Sequence, residues 1–276
     1  MNMPIDNAAS NATATPSLFP IPANVYALTV QDVKHYTDRL FRFRLNRPDS
    51  FRFRSGEFVM IGLPNAEKPV FRAYSVASPF WSEQLEFFSI KVPNGPLTEH
   101  LQKIKIGDTV LMRKKATGTL VLDALLPGKR LFLFSTGTGI APFASLVRDP
   151  ETYEKFEEVI LIQTTRLAAE LDYGRELVAD LKNDPLIGEF ANQLKFYPMT
   201  TREHSDHMGR ITDAIYSGAF FEWTGLAKIN PETDRAMICG SMAMLKDCAK
   251  MCRKFGLVEG ANNAPATYVV ERAFVD

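Results

Sequence analysis

The hydrophobic rhythm of this chain changes once, and that change limits what it can fold into. From Val25 to about Leu122 the apolar residues fall in short alternating runs at 26–30, 40–44, 58–62, 72–76, 85–92 and 109–112. A period of two belongs to strands with one face buried. Turn formers such as Pro48-Asp49, Pro64-Asn65 and Pro93-Asn94-Gly95 separate the runs. About six such strands predict an antiparallel barrel. One helix interrupts them over 97–104, with Leu97, Leu101 and Ile104 spaced i, i+4, i+7. After Pro127, Gly128 and Lys129 the pattern becomes continuous apolar runs at 131–134, 159–162, 194–197, 235–239 and 266–270. Helical stretches at 142–147, 171–182, 211–217 and 242–255 separate these, the last closed by Gly256. Uninterrupted apolar strands alternating with helices predict a doubly wound parallel sheet. The expected organisation is a loose arm over 1–24, an antiparallel β-barrel over 25–125 and an α/β domain over 126–276.

Composition narrows the function. The 276 residues carry 32 basic and 32 acidic side chains, yet residues 25–129 hold 16 basic against 10 acidic and residues 130–276 hold 16 against 21. The first half therefore suits an acidic partner, without the overall basic character of a nucleic-acid binder. The alternation of Phe41, Phe43, Phe51 and Phe53 with Arg42, Arg44, Arg52 and Arg54 reads as barrel inside and outside rather than a base-stacking surface. No apolar run approaches the roughly 18 residues of a membrane span. Cys239, Cys248 and Cys252 are an odd count without Cys-x-x-Cys spacing. That argues against a disulfide framework, a zinc ribbon or an iron–sulfur module, and fits a reducing cytoplasm. Residues 1–24 contain no Lys or Arg and no continuous apolar core, so they read as neither a secretory signal nor a transit peptide. His204 and His207 read as loop histidines, and Cys248 and Cys252 as core thiols.

Two glycine-containing turns carry the chemistry. Gly137-Thr-Gly-Ile-Ala-Pro-Phe143 follows the first strand of the second domain and opens a helix. Such a turn lets the backbone approach a phosphate, while the helix start supplies free N–H groups. In the first domain, Arg72-Ala-Tyr-Ser75 is followed twenty residues later by Gly95-Pro-Leu-Thr98 at another helix start. Two phosphate cradles, one on a barrel and one on a parallel sheet, point to two nucleotide cofactors.

Arg72-Ala-Tyr-Ser75, Gly95-Pro-Leu-Thr98, Thr136-Gly-Thr-Gly-Ile-Ala-Pro-Phe143 and Cys239-Gly-Ser-Met242 occur in an order that resembles the ferredoxin-NADP(+) reductase family. The closing Val269-Val-Glu-Arg-Ala-Phe-Val-Asp276 looks like its bacterial branch. The resemblance implies a barrel domain that binds FAD, an α/β domain that binds NADP(H), and a cytoplasmic monomer whose partners are ferredoxin or flavodoxin. It gives Arg72 to the FAD pyrophosphate, with Ala73 beside it, Tyr74 to the isoalloxazine face and Ser75 to flavin N5. Main-chain groups of Ser89, Ile90, Lys91 and Val92 edge the ring, and Gly95, Pro96, Leu97 and Thr98 hold the pyrophosphate. Thr136, Gly137, Thr138 and Gly139 fall between flavin and nicotinamide, with Cys239, Gly240 and Ser241 alongside. Tyr74, Ser75, Cys239 and Glu271 form the implied catalytic set. Where the plant-type pattern ends in a stacked Tyr, this chain has Ala273, and Phe274 is expected to pack near the FAD adenine.

NADPH selection needs cations around the 2′-phosphate. Thr201 and Arg202 follow the third strand of the second domain, Arg210 comes eight residues after Arg202, and Arg166 follows the second strand. All leave the sheet at its C-terminal edge, where such folds bind ligands. The alternatives are a flavin reductase or the reductase component of an oxygenase system, and a non-catalytic flavin-binding protein.

Overall fold

The computed structural model describes residues 21–64 and 69–271. Strands β1 (Val25–His35), β2 (Leu40–Asn46), β3 (Phe58–Gly62), β4 (Arg72–Ser75), β5 (Gln84–Ile90) and β6 (Thr109–Arg113) form one antiparallel sheet in the order β4-β3-β6-β1-β2-β5. The two edges of this sheet come together. The Ala77 N–H donates to the Glu86 carbonyl at 2.8 Å, and Tyr74 Oη lies 3.2 Å from Ser89 Oγ.

Alternation in β2 sends Phe41, Phe43 and Leu45 into the barrel, where Phe51, Phe53, Leu85 and Phe87 also pack. Burying each such side chain contributes about 1.5–3 kcal/mol. The one α-helix among the described residues of this half, α1 (Thr98–Leu101), is shorter than the 97–104 periodicity predicts, and Leu97 and Leu101 plug the barrel core. Strand β5 is buried on both faces, because its outward residues Glu86 and Phe88 are covered by the second domain. Arg42 and Arg44 are likewise outside the barrel but not free in solvent. Both turn to Glu86, which corrects the reading of a simple basic exterior.

The second half is a parallel sheet of β7 (Arg130–Thr136), β8 (Glu158–Thr165), β9 (Leu194–Thr200), β10 (Asp234–Cys239) and β11 (Tyr268–Glu271), ordered β11-β10-β7-β8-β9. Its central strands are apolar on both faces, as the unbroken runs predict. Leu131, Leu133, Val159 and Leu161 face one core, and Phe132, Phe134, Ile160 and Ile162 the other. Helices α2 (Ala141–Leu146), α3 (Pro150–Lys155) and α4 (Asp172–Leu181) lie toward the first core. Helices α5 (Ile211–Ser217), α6 (Ala219–Thr224) and α7 (Met242–Lys254) cover the second. Gly256, at φ +83°, stands just beyond α7. The first core extends across the domain junction, since Leu40, Ala77 and Phe88 of the barrel pack with Ile140, Phe143 and Tyr173. Among the described residues no helix is long and apolar enough to cross a membrane.

Candidate active site between the two domains

The C-terminal edge of the parallel sheet faces the barrel across a cleft of about 750 Å³. Barrel residues Arg39, Leu40 and Ile90 line one side. The turns after β7, β8, β9 and β10 line the other, bringing Thr136, Gly137, Thr138, Arg166, Thr201, Arg202, Arg210 and Ser241 to one cavity although they are spread over 105 positions. Thr164 Oγ1, at the base of the cleft, is buried without a hydrogen-bond partner. Arg166, Arg202 and Arg210 are exposed, and among the described residues none is paired with a carboxylate. A cleft with unpartnered cations and a polar, open glycine turn fits a phosphate-bearing dinucleotide such as NADP(H).

Two loops of this wall are stitched together. The Ser241 N–H donates to Thr136 Oγ1 at 3.2 Å, and Ser241 Oγ caps α7 by accepting from the Met244 N–H at 3.4 Å. At Gly139 an added Cβ would sit 2.3 Å from the Cys239 carbonyl oxygen, so only glycine lets the turn close onto β10. Cys239 itself is fully buried, and burial first, then the Glu271 carboxylate, pushes its thiol far up. Its Sγ faces the core, and the backbone of residues 239–241 is what approaches the cleft.

On the barrel side, Arg72 is exposed, Ala73 and Tyr74 are half-buried and Ser75 is buried. Arg72 donates only to the Phe71 carbonyl among the described residues, at 3.0 Å, which leaves donors for an anion. Tyr74 packs edge-on against Phe43 and shares a hydrogen bond with Ser89. Burial raises the pKa of this phenol, so it stays neutral. Ser89 is buried, Ile90 and Lys91 are half-buried and Val92 is exposed. The Gly95 N–H donates to Val92 O at 3.0 Å, and a Cβ there would meet Thr98 Oγ1 at 2.3 Å. Pro96 is exposed and Thr98 half-buried at the start of α1, where the Glu99 N–H donates to the Gly95 carbonyl and the His100 N–H to the Leu97 carbonyl, both at 3.1 Å. Leu97 puts its side chain into the barrel core, so only its main chain faces this turn. This exposed arginine, half-buried tyrosine and tight glycine turn fit a flavin nucleotide with a pyrophosphate.

Glu271, at the end of β11, is buried at the junction and accepts from the Thr119 N–H at 2.7 Å. Burial raises its carboxyl pKa, opposed by donors from Thr119 and Leu120. Ala273 and Phe274 lie outside the described residues. His207 stacks on Trp223, and among the described residues no cluster of His, Cys, Asp or Glu could hold a metal.

The sequence reading missed the residues that join the domains. Arg39 reaches Glu170 at 3.5 Å, while Glu170 also accepts from the Arg166 N–H at 2.9 Å. Lys34 and Tyr36 both bond Glu176, at 2.6 and 2.9 Å. Glu86 gathers partners from both domains. Only Glu86 left a local signal: it is a charged residue inside an apolar strand, directly opposite Arg44 in the β2–β5 register.

An antiparallel barrel and a doubly wound sheet enclosing one nucleotide cleft define the two-domain flavin and pyridine-nucleotide oxidoreductases. An oxidoreductase FAD-binding domain matches residues 28–120, and an oxidoreductase NAD-binding domain matches residues 133–250. The chain is 60% identical over 258 residues to a flavodoxin/ferredoxin–NADP reductase of Rhodobacter capsulatus, covering 92% of this chain and 96% of that protein. It is 48% identical to a ferredoxin–NADP reductase of Pseudomonas aeruginosa, covering 92% and 99%. It superposes on a ferredoxin NADP+ reductase from Neisseria gonorrhoeae, crystallised with bound FAD and NADP, with a TM-score of 0.83 at 31% identity, over 92% and 100%. The chain belongs to the ferredoxin/flavodoxin–NADP reductase family.

Proposed function

We propose that this protein exchanges reducing equivalents between NADPH and a small acidic redox protein, a ferredoxin or flavodoxin, through one FAD. The observation that carries this reading is the shared cleft. It sets the barrel's Arg39, Leu40 and Ile90, the last next in chain to the Ser89 that bonds Tyr74, against a sheet edge bearing three arginines that have no acidic partner among the described residues. FAD, when bound, takes up a hydride from NADPH and passes electrons on singly.

This chain's own residues bind, orient and shield. Tyr74 supplies an aromatic face held by Phe43 and Ser89, and Ser75 supplies a buried hydroxyl next to it. Arg72 and the turn at Gly95 to Thr98 hold the FAD pyrophosphate. Arg202, Arg210 and Arg166 hold the 2′-phosphate of NADPH, and Thr136 to Gly139 form the turn that seats the nicotinamide half. Glu271 is the one carboxyl in the proposed catalytic set, held at the buried junction by the Thr119 N–H, with burial raising its pKa. Cys239 acts through its backbone and its bulk, because a neutral, covered thiol offers no nucleophile. Catalysis is chiefly positioning. The barrel half, with 16 basic against 10 acidic side chains, is the side that steers the acidic partner.

Anaerobic mixing with NADPH tests the reading. A reductase bleaches its flavin rapidly and the released cofactor chromatographs as FAD. A flavin that stays oxidised makes the chain a binding protein, and released FMN overturns the adenosine half of the assignment. The domain limits proposed are 25–125 and 126–276, and limited proteolysis between residues 114 and 129 examines them.

A further inference from the structure

We propose that Glu86 is a positioning residue: its buried carboxylate clamps the nucleotide domain onto the flavin-bearing strand segment and thereby fixes how nicotinamide meets flavin. Glu86 Oε1 accepts from Arg148 Nη2 at 3.0 Å and from Tyr173 Oη at 2.8 Å, both from the nucleotide domain. Its Oε2 accepts from Arg44 Nε at 2.8 Å and Arg42 Nη1 at 3.3 Å, both from the barrel. One carboxylate, 3% exposed, therefore answers four donors from two domains.

The clamp lies on the path between the two reacting faces. Arg148 also donates to the Ala77 carbonyl at 2.6 Å, and Ser145 Oγ donates to the Ser78 carbonyl at 2.7 Å. Ala77 and Ser78 directly continue the strand that carries Tyr74 and Ser75. Ser145 belongs to α2, and Arg148 follows two residues after it ends. That helix begins where the Thr136–Gly139 turn ends, and all six of its residues are buried. A short strand and a short, fully packed helix thus tie flavin-facing and nicotinamide-facing groups to the same carboxylate, with no flexible segment between. Two other cross-domain ion pairs are looser or more exposed. Lys34 and Glu176 are 44% and 45% exposed, and Arg39–Glu170 spans 3.5 Å and leads to the Arg166 turn instead. Misplacing a bound reactant by about 1 Å can cost on the order of a hundredfold in rate.

The proposal rests on the reductase reading, which reduction of the wild-type flavin by NADPH tests first and separately. The decisive comparison uses FAD-loaded Glu86→Gln and Tyr173→Phe, titrated with NADP+ and then mixed anaerobically with NADPH. For Glu86→Gln the expected result is full FAD content and NADP+ affinity within about threefold of wild type. The NADP+-induced flavin difference spectrum should shrink, and the limiting reduction rate at saturating NADPH should fall about tenfold or more. Chemical reduction by dithionite should be unchanged. Tyr173→Phe, which removes one donor and keeps the ion pairs, should move the spectrum and rate the same way by about twofold to fivefold. It carries the test alone if Glu86→Gln does not fold. A merely structural Glu86 would lower the melting temperature and leave the difference spectrum and limiting rate as in wild type, and that result overturns the proposal.

Discussion

Lowering the pH should remove a defined part of the protein's stability through Glu86. Burial works against ionisation of this carboxyl, but Arg148 first, then Arg44 and Arg42, outweigh it and hold the pKa at about 2 against an ordinary 4.5. Tyr173 donates to it, and Glu176, Asp180 and Asp184 border the small polar cavity beside it, about 140 Å³. A folded-state pKa below the unfolded one contributes stability that is complete above the unfolded value and is lost as pH falls through the folded value. At neutral pH a displacement from 4.5 to about 2 is worth about 3 kcal/mol, and roughly 2 kcal/mol of that is gone by pH 3. The assay is urea unfolding of wild type and Glu86→Gln at pH values from 7 to 3. Taking the difference between the two cancels titration of distant carboxylates. The wild-type advantage should shrink by about 2 kcal/mol over that interval, all of it below about pH 5. Parallel curves would refute the reasoning and mean that the carboxylate is not held ionised by its arginines.

Arg202→Ala and Arg210→Ala should each weaken NADPH use by roughly tenfold to a hundredfold, the loss of a charge-assisted phosphate contact worth about 1.5–3 kcal/mol, with NADH use nearly unchanged in steady-state assays. Equal losses with both nucleotides would assign these arginines to the shared pyrophosphate. The three cysteines, all buried, should stay unmodified by a thiol reagent in the native protein and react, three per chain, after denaturation. Rapid native reaction at Cys239 would contradict its burial. Reduction of the protein acceptor should fall steeply with salt between 0.05 and 0.5 M, because screening shortens the reach of the basic barrel half (the Debye length is about 10 Å at 0.1 M). Turnover with an uncharged small acceptor should fall only as far as NADPH binding weakens, and equal salt responses would remove the charged docking face.

The strands were legible because local rhythm reports burial. Phe41, Phe43 and Leu45 alternate where one face is covered, and 159–162 do not alternate where both are. Two helices escaped for different reasons. The α3 start is written in Asp149, which caps the Glu151 N–H, followed by Pro150, but its six residues carry no apolar period. The six residues of α6 are mostly aromatic and too short to show a period. Turns with glycine and hydroxyl residues marked both cradles, because close approach to phosphate demands a particular local backbone. What no local signal could disclose is pairing across domains. Arg39 and Glu170 lie 131 positions apart, and Arg148 and Glu86 62 apart. For the same reason Arg42 and Arg44 read as solvated although both are half-buried and bond Glu86, and the Cys239 motif did not reveal that its side chain points into the core.

The most direct test of the account is anaerobic electron transfer from NADPH through the purified, FAD-loaded protein to a panel of ferredoxins and flavodoxins, followed spectroscopically at the acceptor. The account predicts rapid flavin reduction by NADPH, much slower reduction by NADH, and turnover with at least one acidic ferredoxin or flavodoxin. A protein that reduces free flavin or oxygen but none of these acceptors would contradict it.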